Sequence, residues 1–287
     1  MIRFRVLAAM TVLAGCSEAL TSAQSARLPA APAHSERFSL NGVPSQGGIL
    51  RGRVPVGAVA LTLDDKPVTI ASDGSFIIGF DRDHGGKAVL VAQMADGRSV
   101  RQELSVAPRQ WDIEHVDVAQ RPPGSSEDYL KRRQGELARI AAARARPGPS
   151  EGWRQAFIWP ARGRISGVFG SQRVYRGEPG AYHGGVDIAA GAGAAVIAPA
   201  DGVVALAGGP TFSLEGNLVI IDHGMGLNSA FLHLATASVV EGQVVRQGQA
   251  IGTVGATGRA TGPHLHWGMK WRDARIDPQR IAGPHHR

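Results

Sequence analysis

The sequence predicts a mainly β protein: a small N-terminal sandwich, a helical connector and an antiparallel C-terminal β domain. Three observations carry this reading. Glycine supplies 38 of the 287 residues while aromatics make up 6%, a balance that suits turn-rich strands better than packed helices. Short apolar runs of strand length recur between turn residues in both halves of the chain. Only one stretch, after Ser125, places apolar residues at helical spacing.

The first element is an export segment, residues 1–16. Arg3 and Arg5 precede an apolar run from Val6 to Gly15, followed at once by Cys16, the basic-then-apolar order of a secretory signal. The run is too short to span a bilayer as a helix. Leu13-Ala-Gly-Cys16 resembles the bacterial lipobox, which implies a lipidated Cys16 and a membrane anchor, with Ser17 suited to outer-membrane sorting in a Gram-negative cell. The alternative is an ordinary signal cleaved near Ala23 or Ala26. Either way the protein is expected outside the cytoplasm, in the periplasm. Cys16 is the single cysteine, so a disulfide framework within one chain is excluded. Residues 17–37 are small, polar and broken by Pro29 and Pro32, and read as a flexible tether.

Residues 38–120 carry strand signals at Val56–Leu63, Ser75–Phe80 and Ala88–Met94, with turns at Asp64-Asp65, Asp73-Gly74 and Asp96-Gly97. Regular short strands of this kind predict a small, immunoglobulin-like sandwich. It contains no cluster of reactive groups, so docking or spacing is its expected role. Residues 121–155 form the linker. Ser125-Ser-Glu-Asp128 is a helix-start pattern, Leu130, Leu137, Ile140 and Ala141 recur at helical spacing, and Pro147 and Pro149 end the run. The basic remainder of this helix suits either a packed connector or an anionic membrane surface.

Residues 156–287 return to strand patterns. Val196–Leu206 is expected to form two strands turning at Asp201-Gly202, and Leu218–Asp222 and Ser229–Leu234 flank a turn at His223–Gly226. The net charge of +7 favours an anionic partner. Its basic residues are scattered without an aromatic-interleaved patch or DNA-binding motif, so nucleic acid is not the expected partner.

Two segments of this half carry chemistry. In His264-Leu-His266, entered through Gly262-Pro263, the two imidazoles of an extended segment share one face. Both could bind a metal, or one could bind while the other addresses a water on it. In His183-Gly-Gly-Val-Asp187, a nitrogen and a carboxylate oxygen flank a pliable Gly-Gly pair, and both are ordinary zinc ligands. Each pair alone is compatible with a local hydrogen bond. A fold that joins them would make a metal site.

The C-terminal half resembles the lysostaphin-like (LytM-type) zinc metallopeptidases, which cut the peptide part of bacterial peptidoglycan. The matching residues run in order through Gly163–Gly170, His183–Ala190, Ala198–Val203, Ile221–Gly224, Phe231–Leu234 and Ile251–Trp267. The resemblance implies His183, Asp187 and His266 as ligands of a Zn2+ ion, with His233 and His264 as catalytic histidines, and peptidoglycan peptides as substrate. Two imidazoles and a carboxylate would leave the fourth coordination place open, as a catalytic zinc requires. No His-Glu-x-x-His helix supplies a glutamate base, so a histidine is expected to move the proton. Phe231 stands where the family often has tyrosine, and Trp267 where phenylalanine is common. The resemblance also allows a non-hydrolytic module that binds peptidoglycan or activates another hydrolase, and a regulatory envelope partner. The filled ligand positions fit that alternative poorly. A serine hydrolase is disfavoured by the lack of a Gly-x-Ser-x-Gly elbow.

Overall fold

A computed structural model of the chain describes residues 36–120, 124, 126–146, 148–208 and 211–285. The export segment with Cys16, nearly all of the tether, Ser125, Pro147 and His286 lie outside the described residues.

The N-terminal region is β, as its turn signals predict. Its strands are β1 (Ser39–Asn41), β2 (Ile49–Arg53), β3 (Ala58–Leu63), β4 (Lys66–Val68), β5 (Ser75–Gly79), β6 (Lys87–Met94) and β7 (Ser99–Ser105). They form two antiparallel sheets, ordered β1-β2-β5 and β4-β3-β6-β7. Asp64 and Asp65 adopt φ of 47° and 63° between β3 and β4, the left-handed pair that a tight hairpin needs and that aspartate tolerates. Leu50, Phe76 and Ile78 from one sheet and Leu61, Leu90 and Leu104 from the other are buried in one core. That core continues into the C-terminal half, where Gly79 lies against Ile276 and Trp271. Arg51 donates to the backbone oxygens of Trp153 and Gln155, and Arg82 to that of Gly170. A last N-terminal strand, β8 (Ile113–Val116), pairs with neither N-terminal sheet.

The helix α1 (Glu127–Ala145) begins where Ser126 Oγ accepts from the Tyr129 amide and ends just before the prolines. Its packed face differs from the expected stripe. Glu136, Ile140 and Ala143 are buried, while Leu130 and Leu137 are exposed. Ile140 and Ala143 pack on Leu206, Leu218, Ile220 and Ala230 of the C-terminal sheet. Arg133 makes a bidentate pair with Glu215 at 2.6 and 2.7 Å, and Glu136 accepts from Ser213 N and Oγ at 2.8 and 2.6 Å. Periodicity alone counts apolar residues, and here two polar clamps choose which face turns inward.

The C-terminal strands are β9 (Arg164–Gly167), β10 (Gln172–Tyr175), β11 (Glu178–Pro179), β12 (Gly185–Ala189), β13 (Ala195–Ile197), β14 (Gly202–Leu206), β15 (Asn217–Asp222), β16 (Leu227–Ala237), β17 (Val244–Val245), β18 (Ala250–Val254), β19 (Leu265–Trp271) and β20 (Ala274–Ile276), before the short helix α2 (Pro278–Ala282). The main sheet runs β17-β14-β15-β16-β19-β12-β9, with β18 joining β13 to β16 and β20 on β19. β10 pairs with β11 and, in parallel, with β8. Asp201-Gly202 is not the hairpin turn expected. β13 pairs with β18, and both edges of β14 are taken by β15 and β17, so the two strands cannot pair; the Asp201 carboxylate accepts from Gln247 N and Arg246. The turn at His223–Gly226 does join β15 to β16.

His223 is fully buried, with Nδ1 2.8 Å from Asp201 O and Nε2 2.9 Å from Ser229 Oγ. Burial pushes its pKa down from 6.5 to about 4. Between those values the unfolded chain binds more protons than the folded one. Stability is therefore undiminished above about pH 6.5 and falls as pH drops toward 4, by ~3 kcal/mol for this group. The His223 ring resonances in a proton NMR titration are expected to stay neutral through pH 5. A midpoint near 6.5 would contradict that expectation.

Candidate metal centre

The two chemical segments meet because β12 and β19 are antiparallel neighbours in a register that pairs Asp187 with His266. Residues paired across two strands share a face, so the carboxylate and the imidazole project side by side. His183, just before β12, closes the group. His183 Nε2 lies 3.1 Å from Asp187 Oδ1 and 3.0 Å from His266 Nδ1, and the latter two atoms are 2.9 Å apart. Among the described residues this is the group of histidine, cysteine and acidic side chains that could hold a metal ion.

The chemistry of these three atoms fits a cation. His183 Nδ1 is 3.0 Å from the carbonyl oxygen of Val168. A carbonyl only accepts, so Nδ1 carries the hydrogen and the neutral ring turns a lone pair toward Asp187. With His266 in its Nε2–H tautomer, three lone-pair atoms about 3 Å apart would repel unless positive charge sat among them. A tetrahedral zinc with bonds of about 2.0–2.2 Å sets its donors roughly 3.3–3.6 Å apart, within a few tenths of the spacing seen. Burial acts to raise the Asp187 pKa, yet the imidazoles of His183 and His266 beside it outweigh this and hold the carboxyl well below the usual range. Asp187 is therefore an anion at any working pH.

His233 and His264 line the same face without entering the triangle. Their rings are 4.8 Å apart, and His233 is 6.3 Å from the ring of His266. His264 precedes β19 by one residue and shares its face with His266 by strand alternation; its Nε2 is 3.8 Å from Asp187 Oδ1. His233 reaches the site by another route. The β15–β16 register pairs Asn217 with Leu234 but Val219 with Phe231, leaving one extra residue on β16. At this bulge His233 has φ of +64°, a left-handed conformation costing roughly 1–2 kcal/mol for a non-glycine residue. Without it, alternation would send His233 to the side of Phe231, which is fully buried in the core. The Glu215 carbonyl accepts from the His233 amide at 2.8 Å and Thr257 O is 2.9 Å from its Nδ1. Gly262 O is 2.8 Å from His264 Nδ1. Both carbonyl partners fix Nδ1 as the protonated nitrogen, leaving each Nε2 as the acceptor. Burial lowers the His233 pKa.

The glycines near the triangle are there for room. A Cβ at Gly185 would overlap the Trp267 carbonyl oxygen and come within 2.8 Å of His266 Nε2. Asn217 donates Nδ2 to Leu234 O and Ala235 O at the bulge, so it holds backbone rather than facing the triangle. Phe231 and Trp267 are fully buried behind the site. The carbonyls of Val168, Thr257 and Gly262 were missed by the sequence reading, because a backbone acceptor has no residue signature.

Residues 181–278 match the family model described as Peptidase family M23. A crystal structure from Pseudomonas aeruginosa assigned to peptidase M23 aligns with TM-score 0.66 and 31% identity, over 84% of this chain and 96% of that one. The Neisseria meningitidis DD-carboxypeptidase/endopeptidase Mpg is 41% identical over 125 residues, 42% of this chain and 27% of that protein. The Escherichia coli murein hydrolase activator NlpD is 37% identical over 132 residues, 46% of this chain and 31% of that protein. The chain thus spans about a third or less of these curated relatives. Gly185→Ala is expected to weaken zinc binding about tenfold or more by displacing His266, in a competition titration run beside circular dichroism to verify the β fold. Unchanged affinity would show that the strands yield instead.

Proposed function

The chain belongs to peptidase family M23, and from that premise we propose that it is an exported zinc endopeptidase hydrolysing peptide cross-links or stems of bacterial peptidoglycan. The observation that carries the proposal is the division of the five side chains. Three converge on one point through lone pairs, and two present an acceptor nitrogen beside it.

His183, Asp187 and His266 would hold the ion, leaving a coordination place open. Zinc bound there supplies a Lewis acid that polarises a carbonyl and acidifies solvent. The proton chemistry falls to His233 and His264. His233 is kept neutral by burial, so its Nε2 is free to accept a proton from the attacking water near pH 7 and to return it to the leaving amine. His264 turns its Nε2 lone pair to the same place and offers a second acceptor for that proton. The Thr257 and Gly262 carbonyls keep both rings in the tautomer these roles need.

Peptidoglycan lies outside the cytoplasm, so export belongs to the same proposal, as does an outer-membrane anchor at a lipidated Cys16. The similarity to a murein hydrolase activator supports a second reading, in which the module acts through an envelope partner without cutting. Purified protein is expected to bind one zinc per chain and to release muropeptides from sacculi until a chelator is added. His183→Ala should lose metal and hydrolysis together. His264→Ala should keep zinc while losing on the order of 10²–10⁴ in rate; metal loss there would place His264 among the ligands. Zinc-replete protein that leaves sacculi intact but stimulates a separate hydrolase would establish the second reading.

A further inference from the structure

Beside the metal triangle lies a second cavity of about 270 Å³, between α1 and the exposed face of β16 and β19. Its lining includes His266, Leu137, Arg144, Leu232, Lys270 and Arg275. No carboxylate of the described residues lies within 4.0 Å of the Arg144, Lys270 or Arg275 side-chain nitrogens, although ion pairs are common elsewhere in the chain. Glu215 also borders the cavity, but both of its oxygens are held by Arg133. Arg144 Nε is buried without a hydrogen-bond partner, an arrangement rare in folded proteins. Burial lowers the pKa of both Arg144 and Lys270, and the neighbouring cations lower them further, against weaker opposing pulls from Glu215 on Arg144 and from Asp273 and Asp81 on Lys270. Clustering three cations in a half-buried cavity costs folding energy, which points to an anion bound there.

The cavity is also in line with the metal triangle. His266, Gly268 and Lys270 share one face of β19, and Gly268 sets no side chain between the imidazole and the ammonium. Four residue steps along the strand separate them, roughly 13 Å at ~3.3 Å per step. An extended peptide crossing the triangle would therefore bring a group within about four residues of the scissile bond to the cations. Guanidinium groups match the planar, two-oxygen geometry of a carboxylate.

We propose that Arg144, Lys270 and Arg275 form a subsite for a free carboxylate of the peptide substrate, so that the enzyme selects acidic peptides over amidated ones. This rests on the reading of the chain as a peptidoglycan-binding module, and it assigns a recognition role to the connector helix. The test is binding of the zinc-loaded full chain to an immobilised muropeptide with free carboxylates and to its carboxamide counterpart. The acidic form is expected to bind about ten- to a hundredfold tighter. Arg144→Gln and Lys270→Met, on separate elements, should each remove most of that preference. Equal affinities in the wild type, or variants that weaken both ligands alike, would overturn the subsite. Hydrolysis of each peptide is scored separately: preference without cleavage sinks the peptidase reading alone, and cleavage without preference sinks the subsite alone.

Discussion

The register between β12 and β19 sets the position of Asp187 and His266, around which the site is built. Pairing Asp187 with His266 places an anion and an imidazole 2.9 Å apart on one sheet face, and a slip of one residue would turn His266 to the opposite face. That register is itself secured from behind. Val186 and Trp267, paired across the same strands, are fully buried in the apolar core. Moving the site would therefore require exposing the core, so the donor geometry inherits the rigidity of the hydrophobic packing.

His233 cannot be delivered this way. Its neighbours Phe231 and Leu234 are fully buried, and a regular strand between them would carry His233 away from the metal face. The bulge solves the conflict locally, and its left-handed backbone is offset by hydrogen bonds that His233 donates to the Glu215 and Thr257 carbonyls and that Asn217 Nδ2 donates to Leu234 O. Glu215 is in turn gripped by Arg133 from α1. The connector helix thus bears on a residue of the site through one carbonyl, even though no side chain of α1 enters the triangle.

What could be read from the sequence follows the range of the interaction concerned. His264 and His266 share a face by alternation alone, and the His183-Gly-Gly-Val-Asp187 stretch holds two donors within five residues, so both were legible. The mainly β character was legible from glycine, turn dipeptides and short apolar runs. The hairpin expected at Asp201-Gly202 was not formed, because β15 and β17, the latter more than forty residues on, take both edges of β14. The buried stripe of α1 was misassigned for the same reason: Glu136 turns inward to reach Ser213, and no local pattern marks a buried glutamate as partnered. The tautomer-setting carbonyls and the cation cluster needed three-dimensional proximity between residues that are unremarkable in sequence.

The same long-range order explains why α1 carries its polar clamps where it does. Arg144, Lys270 and Arg275 concentrate positive charge on the helix side of the triangle. Repulsion between Arg144 and Arg275 acts against the docking of the C-terminal end of α1. Ile140 and Ala143 oppose this with apolar contact, while Arg133 and Glu136 anchor the helix nearer its start with paired hydrogen bonds. A carboxylate in the cavity would remove the repulsion and complete the charge balance of the cleft. On the proposed carboxylate subsite, substrate binding and helix docking would be coupled through that one electrostatic interaction.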